Sequence, residues 1–172
     1  FACNKINKRK NSFNGQRRII TNMTFYTDSP EQTIEFGKKI GSKLKKGDIL
    51  AMQGTLAAGK TTITKGIAIA LGVEDTITSP TFCLISEYEG KLPLYHMDVY
   101  RLNGTDDFIN LGAEELIYGN GVSIIEWSEK IMDSLPKKTI IIRLEPQKSA
   151  DGCRRKITLE NWPYGDFLWG KK

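Results

Sequence analysis

Residues 54–62 read Gly-Thr-Leu-Ala-Ala-Gly-Lys-Thr-Thr, and this stretch decides the fold. Gly54, Gly59, Lys60 and Thr61 fit the pattern Gly-x4-Gly-Lys-Ser/Thr, a loop whose backbone N–H groups wrap phosphate oxygens. Glycines are needed where the backbone must turn sharply and approach an anion closely. Lys60 is placed to neutralise the β- and γ-phosphates, and Thr61 to offer its hydroxyl to Mg²⁺. The pattern acts only between a strand and a helix, so the flanks matter. Ile49 to Gln53 is a short, mostly apolar run of strand length. From Lys60 onward, Ile63, Ile67 and Leu71 recur on one helical face, with Gly72 as the stop. Both flanks are as required.

Working outward, Ser29-Pro30-Glu31-Gln32 predicts a helix start, with Ser29 as cap, Pro30 in the first turn and Gln32 completing a capping box. Phe36, Ile40 and Leu44 then form a buried stripe, ended at Gly47-Asp48. Beyond the loop, Cys83–Tyr88 and Leu92–Met97 predict an antiparallel hairpin joined by Glu89-Gly90-Lys91. A helix is expected from Asp106 to about Tyr118, a buried strand over Val122–Trp127 and a short helix ending before Pro136. Further strands are expected at Thr139–Leu144 and Lys156–Leu159. The fold class expected is α/β of the P-loop NTPase type, a mostly parallel sheet with an antiparallel hairpin and helices on both faces.

The chain of 172 residues, 40% hydrophobic and 26% charged, suits one globular domain. Its net charge of +5 does not point to a nucleic-acid surface. Lys5, Lys8, Arg9, Lys10, Arg17 and Arg18 all precede Met23, and no acid does. Setting those six aside from 25 leaves 19 basic against 20 acidic residues, a nearly neutral body. Residues 1–22 therefore read as a basic, disordered tail with little aromatic interleaving, and Met23 opens the patterned segment, on one reading the natural start. The domain is expected over residues 23–161, with 162–172 an aromatic tail. No run is apolar enough for a membrane span or a signal-peptide core. Cys3, Cys83 and Cys153 are isolated and match neither a zinc pattern nor a disulfide framework, which fits a cytoplasmic protein.

A phosphate loop needs a carboxylate on a neighbouring strand to hold the metal, directly or through water. Asp98 ends the run Leu92–Asp98, and Glu126 ends Val122–Glu126. One reaches the Mg²⁺ shell while the other polarises the attacking water, and the residues alone do not assign which. His96 is either a packed histidine or a catalytic one. Arg101 either meets phosphate or pairs with an acid. Ser79-Pro80-Thr81 is either a phosphate-sensing loop or a proline turn. Guanine-specific relatives carry Asn-Lys-x-Asp after a strand; the nearest match, Asn4-Lys5-Ile6-Asn7, lacks the acid, which favours an adenine nucleotide.

Gly54–Thr62, Ser79-Pro80-Thr81-Phe82, Tyr95–Leu102 with its His-x-Asp-x-Tyr-Arg element, and Ile124–Lys130 with its Glu-Trp, in this order, resemble the TsaE family. This is the bacterial P-loop ATPase family required for threonylcarbamoyladenosine at position 37 of tRNA. The resemblance covers about residues 24–160 and implies a Mg²⁺-dependent ATPase, weak alone, that works with the TsaD–TsaB pair and meets tRNA only through that complex. It implies that Gly54, Thr55, Leu56, Ala57, Ala58, Gly59, Lys60, Thr61 and Thr62 hold the phosphates, with Thr61 and Glu126 on the metal. It further implies that Lys60, Asp98 and Glu126 serve catalysis, that Trp127 supports the site, and that Thr33 lies near the base. Arg155, among Arg154, Arg155 and Lys156, is expected to reach the nucleotide. The family reads Gly-Asp-Leu-Gly-Ala-Gly-Lys-Thr-Thr, so Thr55 and Ala57 are departures here; a Cβ at Ala57 strains the loop if φ is positive there. A small metabolite kinase and a nucleotide-gated binding module are the alternatives.

Overall fold

The computed structural model describes residues 5–10 and 19–169, with side chains from residue 22 onward. Cys3, Arg17 and Arg18 lie outside the described residues, as do the last three positions of the aromatic tail. The strands are β1 (Lys5–Lys10), β2 (Ile19–Thr27), β3 (Ile49–Gln53), β4 (Ile85–Tyr88), β5 (Leu94–Asp98), β6 (Val122–Glu126), β7 (Ile140–Pro146) and β8 (Arg155–Glu160). The helices are α1 (Pro30–Gly41), α2 (Lys60–Ala70), α3 (Thr105–Asn110) and α4 (Ala113–Ile117).

All eight strands form one sheet in the order β1-β2-β8-β7-β3-β6-β5-β4. The centre, β7-β3-β6-β5, is parallel, and β4 pairs antiparallel with β5 as the hairpin reading requires. A second antiparallel flank, β1, β2 and β8, joins on the other side through β7. Lys5–Lys10 and Ile19–Asn22, expected within a disordered tail, pair as strands of this flank, so the expected boundary at residue 23 falls inside β2; residues 1–4 and 11–18 of that tail lie outside the described residues. A strand edge at β2 presents unpaired backbone groups, and β1 satisfies them whatever its side chains.

β3 is buried along its whole length because both faces are covered. Leu50 and Met52 face α1 and α2 with Phe36, Ile40, Ile63 and Ile67. Ile49 and Ala51 face α3, α4 and the following turns with Phe108, Ala113, Ile117 and Ile131. The Ser29 cap accepts from Gln32 N at 3.2 Å, while the Gln32 side chain takes Asp28 N rather than closing the box on Ser29. The helix expected over Asp106–Tyr118 is two helices instead, since Gly112 turns left-handed at φ 69° and breaks the hydrogen-bond ladder. The short helix before Pro136 is a pair of 3-10 turns, Ser128–Lys130 and Met132–Ser134. Residues 162–169 fold back on α1 and β2: Phe167 meets Phe25 and Phe36, and Trp169 donates to Tyr26 O at 3.0 Å.

Candidate functional site

Parallel strands deliver their C-terminal ends to one edge of a sheet, so the loops after β3, β5 and β6 share that edge. The loop after β3 leads into α2, whose N-cap Gly59 (φ 106°) has no side chain to cap the first turn. Amides of that turn are left for an external acceptor, and the helix dipole adds a positive end. The cleft, about 540 Å³, is lined by Leu56–Thr62, Ser79, Thr81, Asp98, Tyr100, Glu126 and Trp127. That volume is within the range of small-molecule sites.

Lys60 is buried, and its Nζ donates to Gly54 O at 2.8 Å and Thr55 O at 3.0 Å, across the mouth of its own loop. The ammonium also lies 3.8 Å from the centre of the Trp127 ring. Burial holds its pKa below the usual lysine value, opposed by the charges of Glu126, Glu129 and Asp98. A phosphate arriving in the cleft supplies the counter-charge that the lysine now borrows from carbonyl oxygens.

Register places the two carboxylates side by side, since Asp98 pairs with Glu126 across β5 and β6. Their partners differ. Glu126, buried, accepts on Oε1 from Thr61 Oγ1 at 3.0 Å and from His96 Nε2 at 2.9 Å. A carboxylate only accepts, so the His96 proton sits on Nε2, while its buried Nδ1 has no hydrogen-bond partner among the described residues. Asp98 Oδ2 accepts from Ser79 at 3.1 Å and Thr81 at 2.9 Å, and its Oδ1 from Tyr100 N at 2.9 Å. The Ser79-Pro80-Thr81 segment is thereby clipped to the strand ends. Trp127 is left-handed at φ 61° and packs on Tyr100, ring centres 4.8 Å apart.

The paired hydroxyl and carboxylate of Thr61 and Glu126 are an all-oxygen donor set beside the phosphate loop. This suits Mg²⁺, which takes one or two protein ligands and fills its shell with phosphate oxygens and water. Among the described residues no group of three or more His, Cys, Asp or Glu is placed to hold a metal by itself. The donor chemistry fits a cation that completes its shell with phosphate oxygens and water.

Of the residues singled out in the sequence, Leu56 to Thr62, Asp98, Glu126 and Trp127 line one cleft, and Gly54 and Thr55 hold Lys60 from its edge. Thr33 is elsewhere: buried in α1, it bonds Thr27 Oγ1 at 2.8 Å and Ser29 O at 3.1 Å. Arg155 lies against the loop, donating to Ala58 O at 3.0 Å and Ala57 O at 3.3 Å. Arg101 lies 4.5 Å from the ring centre of the exposed Phe82. Two roles escaped the sequence. Lys130 ties the strand loops together through Tyr100 O and through Leu102 O at 3.2 Å, a surface lysine with no pattern to mark it. Tyr100 walls the cleft; its place in the His-x-Asp-x-Tyr-Arg element marked the residue but not that role.

Known proteins resemble the chain throughout this region. The family model described as "Threonylcarbamoyl adenosine biosynthesis protein TsaE" matches residues 27–157. A protein of Treponema pallidum named tRNA threonylcarbamoyladenosine biosynthesis protein TsaE is 47% identical over 131 residues, covering 76% of this chain and 95% of that one. A Bacillus subtilis protein of the same name is 44% identical over 133 residues, covering 77% and 81%. A crystal structure of Bacillus subtilis YdiB superimposes with a TM-score of 0.71 at 36% identity, over 83% of this chain and 87% of that one. With the family model matching well over half its length and the cleft built from the motifs described, the chain belongs to the TsaE family.

Proposed function

We propose that the protein is a Mg²⁺-dependent ATPase that supports formation of threonylcarbamoyladenosine at position 37 of tRNA, acting with the TsaD–TsaB pair. The observation that carries this reading is the Thr61 hydroxyl on the Glu126 carboxylate at 3.0 Å, beside the buried Lys60 at the mouth of a phosphate loop. The relatives named for threonylcarbamoyladenosine biosynthesis supply the pathway.

In this reading Lys60 leaves Gly54 O and Thr55 O to neutralise the β- and γ-phosphates, and the loop amides bind their oxygens. Thr61 and Glu126 hold Mg²⁺, which when bound neutralises charge on the transferring phosphoryl group. His96 keeps Glu126 aligned. Asp98 holds Ser79 and Thr81 at the cleft wall through their hydroxyls. Water attack then needs a carboxylate near the γ-phosphate, and in this reading Glu126, held at the cleft by Thr61 and His96, serves there. The near-neutral body supports a contact with tRNA only through the complex. Among the described residues no helix is long and apolar enough to cross a membrane, which suits the proposed cytoplasmic setting.

The test is ATP hydrolysis measured with and without TsaD and TsaB. Stimulation by the pair is expected. No stimulation, together with a phosphorylated metabolite, points instead to a kinase and removes the proposal.

A further inference from the structure

Arg155 opens β8 and sits behind the phosphate loop, outside the lining of the cleft. Its guanidinium joins two segments far apart in sequence. Nε donates to Ala58 O at 3.0 Å and Nη2 to Ala57 O at 3.3 Å. Nη1 donates to Gly152 O at 2.7 Å and Arg154 O at 3.0 Å, anchoring the group on the β7–β8 turn. All three nitrogens are thus engaged by backbone oxygens, as a planar fork allows and an ammonium does not.

The orientation of those carbonyls has a consequence for the cradle. In a trans peptide the C=O and the following N–H point in opposite directions. Holding the carbonyls of Ala57 and Ala58 from behind therefore fixes the amides of Ala58 and Gly59 toward the other side. The Ala58 amide closes the loop internally on Thr55 O at 3.2 Å. The Gly59 amide then faces the cleft, where an anion would sit. Ala57 itself is left-handed at φ 59°, a conformation that a Cβ disfavours and glycine accepts freely. The residue that grips its carbonyl opposes relaxation to a negative φ, which would swing that carbonyl away.

We propose that Arg155 is a positioning residue for the phosphate loop: it holds the loop in its anion-binding shape and offsets the strain of alanine at position 57. It acts through the backbone carbonyls of Ala57 and Ala58. The inference rests on the loop being a nucleotide-phosphate site, as proposed above.

The test is a double-mutant cycle read by titration calorimetry with Mg·ATP and Mg·ADP. Wild type, Arg155→Met, Ala57→Gly and the double variant are compared, with thermal midpoints recorded for each. Arg155→Met is expected to weaken ATP and ADP alike, by about tenfold, the scale of losing hydrogen bonds from a charged donor. With glycine at position 57 the same change is expected to weaken binding by no more than about threefold, because neighbouring residues that share a function couple. Arg155→Lys keeps the charge and stem but not the fork, and shows the same dependence on residue 57 even if the methionine variant folds poorly. An equal loss in both backgrounds overturns the inference, as does wild-type affinity in Arg155→Met. A loss confined to ATP also overturns it, because that places the guanidinium on the γ-phosphate. Wild-type protein that binds neither nucleotide removes the phosphate-site reading and this inference with it.

Discussion

Ala57 shows how much one residue carries in this molecule. Its positive φ is the conformation that the glycine pattern of the family anticipates, and the alanine keeps it. Ala57→Gly should therefore tighten ATP binding by about fivefold, from relief of roughly 1 kcal/mol of left-handed strain; unchanged or weaker affinity in calorimetry contradicts that account. Lys60→Ala should abolish nucleotide binding, since the one ammonium that lines the cleft among the described residues is lost. Glu126→Ala should spare binding and stop hydrolysis, and retained turnover removes Glu126 from the chemistry. His96→Leu takes a donor from a buried carboxylate and should lower stability by about 1–3 kcal/mol in chemical denaturation, with turnover falling more than affinity. The residues touching the cleft were legible because phosphate chemistry demands particular types at fixed spacing. The partners of those residues were not. That His96 meets Glu126, and that Ser79 and Thr81 meet Asp98, follows from which strands are neighbours, and sequence order does not state it.

At the scale of elements, α1 and α2 pack with their backbones in contact. A Cβ added at Gly66 would lie 2.0 Å from Ile34 O, and one at Gly37 2.3 Å from Ile63 O. Either glycine replaced by alanine forces the helices apart, and α2 carries Lys60 and Thr61 at its start. Gly66→Ala should cost about 1–3 kcal/mol in thermal or chemical unfolding and weaken ATP binding as well; unaltered stability contradicts the close packing. Helix starts and the buried stripe of α1 were readable, because caps and apolar periodicity are local. The break at Gly112 was not. Apolar spacing runs through it from Phe108 to Ile117, and only the path of the chain over the sheet shows that the ladder stops there.

Across the whole molecule, the parallel centre positions the chemistry and the antiparallel flank closes one side of the core. Phe25, Phe36, Trp162 and Phe167 form a continuous aromatic cluster beneath the returning C-terminal segment. Tyr164 adds a hydrogen bond to Asp48, and burial first, then that carboxylate, raises its pKa so that the phenol stays protonated. Ending the chain after Asn161 should uncover this cluster and lower the thermal midpoint by several degrees, on the order expected for exposing large aromatic side chains. The aromatic tail could not be assigned from sequence because its order comes entirely from distant neighbours. The central claim, a cleft that couples ATP hydrolysis to tRNA modification, is tested most directly by mass spectrometry of tRNA nucleosides after depletion of the protein. Threonylcarbamoyladenosine should fall and return with the wild-type chain but not with Lys60→Ala. Its persistence at normal levels in the depleted cells contradicts the account.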